Sequence, residues 1–222
     1  MDVMKDIELN LENPEYNQKR VEALNRILSG KEPVRIDDVT IEIKGPEYGW
    51  LEIYLKVEGK RPFIMEVSDV YPPFPDLRSW LEHMVNYTTY PSESLVIDCE
   101  RYNVLLSYDY LGHVENDEIY EPVALLQIGV DIPEEDETGE YEPLLQIAVP
   151  IRKFVSDLYN VLKNYMYDNR KVFSQNWSHP NGGDFDIRKL MRSFASKKIE
   201  EDLERMGAYT CDLSHGPCVQ IK

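Results

Sequence analysis

Lysine and arginine are absent from residues 102–151 of this 222-residue chain, a stretch that carries twelve acids. That imbalance excludes direct nucleic-acid binding by this part of the chain, because phosphates would be repelled. No apolar run approaches the roughly 18 residues of a membrane helix. The first residues, MDVMKDIELNLENPEYNQKR, lack an apolar core segment and turn acidic early, unlike a signal or transit peptide. The expectation is a cytoplasmic protein. Cysteine is scarce, with Cys99, Cys211 and Cys218 alone, which excludes a disulfide framework. No serine stands in a G-x-S-x-G elbow, and no Lys-Ser/Thr follows Gly182-Gly183 to make a phosphate loop.

What is present is charge of one sign, tyrosine and alternation. The net charge is −17, and hydrophobic residues make up 42% of the chain, enough for a sizeable core. The C-terminal third, from Arg152, is weakly basic. The natural complement of such a chain is a basic protein partner. A homodimer is also open, with the basic third of one copy against the acidic face of another.

Periodicity gives the elements. Residues 14–29 predict an amphipathic helix, with Val21, Leu24 and Leu28 on one face and Gly30 at its stop. VTIEIKG (39–45), GWLEIYLKVEG (49–59) and RPFIMEVS (61–68) alternate as strands joined by short turns. The prolines of YPPFPD (71–76) break this pattern, and Asp76 is placed to cap the helix LRSWLEHMVNY that follows. SLVIDCE (94–100) and YNVLLSYDY (102–110) predict two more strands. LLQIGVDI and LLQIAVPI, nineteen residues apart, are continuously apolar, as in strands covered on both faces. A hairpin would carry the acidic PEEDETGEYEP between them at its tip. From Arg152 the stripe is helical. Residues 171–186 read as a polar connection, and 187–206 as one last helix before an irregular tail. The fold class is α+β: a largely antiparallel sheet of about six to seven strands with helices packed on it, as a single domain over 1–222.

Candidate chemistry is sparse. Cys211, His215 and Cys218 are zinc-type donors, but C-x3-H-x2-C lacks the paired knuckle and needs a distant fourth ligand such as His179. His179, Asp184 and Asp186 lie on one Gly-containing segment, where the aspartates equally suit helix caps. Asp98 and Glu100, two apart on a strand, would share a face. His83 and His113 read as surface or capped histidines, His113 in a turn after Gly112. No cofactor is implied.

Interaction features are stronger. Fifteen tyrosines is a high count, and several stand beside acids. Tyrosine supplies rigid contact area and carboxylates supply partners for lysine and arginine. The candidate partner-binding residues are Tyr108, Tyr110, Glu118, Tyr120, Glu134, Glu135, Asp136, Glu137, Glu140, Tyr141 and Glu142. The function expected is a non-catalytic acidic binding protein that neutralises a basic protein partner, in the manner of an immunity protein or a phage-type inhibitor. A DNA-mimic inhibitor of a nucleic-acid-binding protein is the alternative. A metal-dependent hydrolase is the reading from another class.

Overall fold

The computed structural model describes Gln18, Glu22, Ser29 and residues 25–27, 35–100, 102–116, 119–131, 142–177 and 186–208. Of the expected first helix, Gln18, Glu22 and residues 25–27 are helical, and the remainder lies outside the described residues.

β1 (Val39–Glu47), β2 (Trp50–Val57) and β3 (Phe63–Ser68) form an antiparallel meander. Its alternation is the one read from the sequence. Leu51, Ile53, Leu55 and Val57 are buried, while Glu52, Tyr54 and Lys56 occupy the outer face. Helix α1 (Phe74–Val85) follows, and here the expectation needs correcting. Asp76 does not cap it. The cap position is Pro73, and Asp76 sits in the first turn, where its charge complements the helix dipole. Pro75 is tolerated inside the helix because a first-turn N–H has no intrahelical hydrogen bond to lose.

β4 (Ser92–Asp98), β5 (Asn103–Asn116), β6 (Ile119–Asp131) and β7 (Glu142–Pro150) form a second antiparallel meander. The class is α+β as expected, with seven antiparallel strands, but they divide into two sheets. The prolines and α1 separate β3 from β4. A single parallel bridge, Ile36 to Ala148, ties the approach to β1 onto β7. His113 belongs to β5, just past a bulge at Tyr110–Gly112, and not to a turn.

The two similar segments pair with each other through their glutamines. Gln127 stands opposite Gln146, Leu126 opposite Ile147, and Ile128 opposite Leu145. One face of this sheet, with Leu106, Leu126, Ile128 and Ile147, enters the main core. The other face holds a smaller cluster of Leu111, Val123, Leu125 and Ala148, against which Ile27 and Ile36 pack. Across this second face runs a polar row: Ser94, Ser107, Gln127 and Gln146 are successive register partners. Gln146 Nε2 donates to Gln127 Oε1 at 3.2 Å.

Among the described residues four helices follow: α2 (Ile151–Asp168), α3 (Arg170–Asn176), α4 (Ile187–Phe194) and α5 (Lys197–Ala208). The expected polar connection at 171–186 therefore contains a helix, anchored by buried Phe173 and followed by buried Trp177. The expected single helix over 187–206 is two. Phe194 and Ile199 are both buried, yet five residues apart on a continuous helix they would point roughly 140° away from each other. An extended residue at Ala195 resolves this, and the Ser196 hydroxyl accepts from the Ile199 N–H at 3.2 Å to start the new helix. The main core draws on both sheets and on each of α1 to α5. No helix among the described residues is long and apolar enough to cross a membrane.

Candidate functional site

The strand registers gather carboxylates at one end of the four-stranded sheet. β4 ends at Asp98, which faces Asn103 at the start of β5, which faces Asp131 at the end of β6. Glu142 opens β7 opposite Val130 at the same end. Residues 132–141, with five more acids, connect β6 to β7 there. Of those candidates, Glu134, Glu135, Asp136, Glu137, Glu140, Tyr141 and Glu118 lie outside the described residues, as does Arg101, next in sequence to Glu100. Tyr120 is placed in β6.

Two candidates are corrected. Tyr108 is 0% exposed: its ring meets Trp80 edge-on at 5.5 Å, and its hydroxyl donates to the Tyr90 carbonyl at 3.0 Å. Tyr110 is partly buried, its ring 4.6 Å from that of Tyr87. Both share the core face of β5 with Val104 and Leu106, so Tyr108 offers no open contact surface and Tyr110 only its partly exposed side. Asp109, between them, points to the other face and is only 2% exposed, 3.5 Å from Gln127 Nε2.

The other candidates serve local structure. Asp98 Oδ1 accepts from the Glu100 N–H at 2.7 Å, which forms the turn after β4. The strand stops at Asp98, so Asp98 and Glu100 are not a same-face pair. Asp186 caps α4 by accepting from the Arg188 N–H at 2.9 Å. His83 Nδ1 lies 2.6 Å from Glu93 Oε2, and its ring stacks on Tyr90 at 4.0 Å, which pins α1 to β4. His179, Asp184, Cys211, His215 and Cys218 lie outside the described residues, and among those described no three potential metal ligands converge.

Cys99 is buried against the turn that follows β4. Burial pushes its thiol up to about 12, the Asp98 and Glu66 carboxylates push the same way, and a contact with Tyr102 opposes them. Such a thiol makes no nucleophile at neutral pH. In a Cys211→Ser/Cys218→Ser background, we expect Ellman's reagent at pH 8 to label Cys99 only as fast as the chain unfolds. Rapid labelling of the folded protein would contradict this. The sign for stability follows. The folded chain holds this proton where the unfolded chain releases it, so the contribution is intact below pH 9.0 and drains as pH climbs to about 12. Burial raises the Tyr102 phenol from 10.0 to about 12 with the same sign. Stability measured by denaturant should therefore fall over this range.

The sequence reading missed the tip of the β1–β2 hairpin. Glu47 pairs with Trp50, which leaves Tyr48-Gly49 as a two-residue turn. Both have positive φ, 51° and 84°, the pattern that normally selects Asn-Gly. Here the first position is a tyrosine, and it is 94% exposed. The surroundings hold it in place. The Gly49 N–H donates to the Asn176 carbonyl at 2.7 Å, the Asp69 N–H donates to the Gly49 carbonyl at 2.9 Å, and the Tyr165 hydroxyl donates to the Gly45 carbonyl at 2.5 Å. The string PEYGW was the available signal, an aromatic pair around a glycine turn.

Two hollows flank this tip. One, about 460 Å³, lies between Tyr48, Trp50, the carboxylates of Asp69 and Glu100, and the end of α3 at Gln175 and Asn176. The other, about 330 Å³, shares Tyr48 and Trp50 and adds Lys44, Glu52 and Glu66. In the second, Lys44 Nζ sits 4.4 Å above the Tyr54 ring, and the Tyr54 hydroxyl donates to Glu52 Oε2 at 2.6 Å. Tyr102 closes the gap between the sheets by accepting from the Glu66 N–H at 3.3 Å. The tip of β1–β2 and the acidic end of the other sheet therefore meet at Glu100. No protein-family model matches the chain, and no curated protein matches it.

Proposed function

We propose that this chain is a non-catalytic binding protein that neutralises a basic protein partner through the acidic end of its four-stranded sheet. The observation that carries the reading is the convergence given by the registers. Asp98, Asp131 and Glu142 stand at one end of the sheet by register, the sequence between the last two carries five more acids, and Glu100 lies beside an exposed aromatic tip. Arg101 is the one basic residue of these connections. Carboxylates with aromatic neighbours are what lysine- and arginine-rich surfaces bind. Like charges so dense in sequence repel one another, and a cationic partner relieves that repulsion on binding.

The test is capture of host proteins by the tagged chain at low and high salt, beside a variant in which Glu134, Glu135, Asp136 and Glu137 are serine. A basic protein held at low salt, released at high salt and lost on the variant is the expected result. With that partner purified, the association rate should fall about 10–100-fold as salt rises. A partner retained equally by the variant, or an association rate indifferent to salt, removes the reading.

A further inference from the structure

We infer that the hollow between Tyr48 and Trp50 is a carbohydrate site, which takes a β-linked pyranose with equatorial hydroxyls. The first observation is what its aromatic side chains leave undone. Among the tyrosines and tryptophans whose side chains are described, Tyr48, Trp50 and Tyr71 alone meet no other ring, no cation and no hydrogen-bond partner. The others are committed within the fold, as Tyr54 is to Glu52, Tyr102 to the Glu66 N–H and Tyr167 to Arg170. Tyr48 and Trp50 line this hollow, and Tyr71, 53% exposed, follows Val70 of its wall. Two phenol hydroxyls and an indole N–H are therefore left over at one place. The volume, about 460 Å³, falls within the roughly 300–1,000 Å³ usual for small-molecule sites.

The remaining walls set the ligand's chemistry. Glu100, Gln175 and Asn176 stand beside the aromatic residues, and all three are exposed. A wholly apolar ligand would strip them of water without replacing it. An anion would meet the charge of Glu100. Asp69, on the same wall, already has a partner in this chain, so the hollow is no trap for a cation. A neutral ligand that both donates and accepts suits the set. Each sugar hydroxyl donates to a carboxylate or amide oxygen and accepts from a side-chain amide, a phenol or an indole N–H. A pyranose with equatorial hydroxyls turns its axial C–H bonds outward from both faces. These bonds carry partial positive charge and rest on the negative face of an aromatic ring. Tyr48 is preset for this role. It stands 94% exposed at a positive φ, and the hydrogen bonds of Gly49 fix the turn before a ligand arrives.

The probe is cellobiose, titrated into isotope-labelled protein and followed by the amide signals of Gly49 and Glu100 and the indole N–H of Trp50. We expect saturable shifts at these positions and none at the acidic end of β6 and β7. Sorbitol, which has the hydroxyls but no ring face, should produce no saturable shift. Tyr48→Gly and Glu100→Gly should each raise the dissociation constant about tenfold. Both replace an exposed residue at a positive φ, 51° and 63°, so glycine relaxes the backbone and empties no core. Their thermal midpoints should not fall. The inference is overturned by absent or unsaturable shifts, by equal binding of sorbitol, or by unchanged affinity in Tyr48→Gly. Saturable binding of an acetylated hexaproline amide in place of cellobiose would overturn it too, and make the hollow a peptide groove. The site stands apart from the acidic end. Serine at 134–137 should leave cellobiose binding unchanged, and Tyr48→Gly should leave the capture of a basic partner unchanged.

Discussion

Trp177→Ala lowers the unfolding free energy by about 3–5 kcal/mol, the cost of emptying a large aromatic site that cannot collapse. Trp177 is 1% exposed and ends α3. Its ring lies 5.9 Å from Phe74 of α1 and 5.7 Å from Phe173 of α3, and Phe74 continues to Phe194 of α4 at 6.0 Å. Three helices meet at this aromatic set, and each tilted or edge-on pair adds about 0.5–1.5 kcal/mol beyond the area it buries. The effect reaches the hairpin tip, since Asn176, next in sequence, holds the Gly49 N–H through its carbonyl. Denaturant unfolding should show a lower midpoint with an unchanged slope. A loss below about 1 kcal/mol would mean that the helices repack around the gap.

Gly45→Ala is the second large effect, at about 2–4 kcal/mol. Gly45 has φ +98, and a Cβ there would stand 2.7 Å from the Trp50 carbonyl oxygen and 3.2 Å from the Glu47 nitrogen. Both are backbone atoms, so no rotamer change clears the space. The turn has to shift, which pulls the Gly45 carbonyl away from the Tyr165 hydroxyl. Gly59→Ala is the control. Its φ is +74, but nothing lies within 4 Å of the added carbon, so only the backbone penalty of about 1 kcal/mol remains. If the two variants are equally stable, crowding at Gly45 is not the reason for that glycine.

Local order was legible where one physical signal dominated. The alternation of Leu51, Ile53, Leu55 and Val57 against Glu52, Tyr54 and Lys56 is visible in the string and true in the fold. The succession of three strands, a helix and four strands followed from such patterns. Phase was harder to read. Leu105 and Leu106 are both buried, on opposite faces of β5, so the run hides which face Tyr108 and Tyr110 share, and Tyr108 was mistaken for surface. The stripe from Phe194 to Leu203 looked continuous because the break at Ala195–Ser196 carries neither glycine nor proline. The hollow at Tyr48 was out of reach for a different reason. Its walls come from a hairpin tip, the end of β3, the turn after β4 and the end of α3, and nothing local relates these four places.

The pairing of Gln127 with Gln146 has a consequence for how this sheet selects its alignment. β6 and β7 carry nearly the same apolar letters on either side of these glutamines, so their leucines, isoleucines and valines would fit several alignments almost equally well. A slip of two residues keeps the apolar faces covered, but it parts the buried Gln127 amide from the half-buried Gln146 amide, at a cost of about 1–3 kcal/mol. The amides therefore act as a key cut into two otherwise interchangeable strands. They contribute little to cohesion, and they make one alignment cheaper than its neighbours.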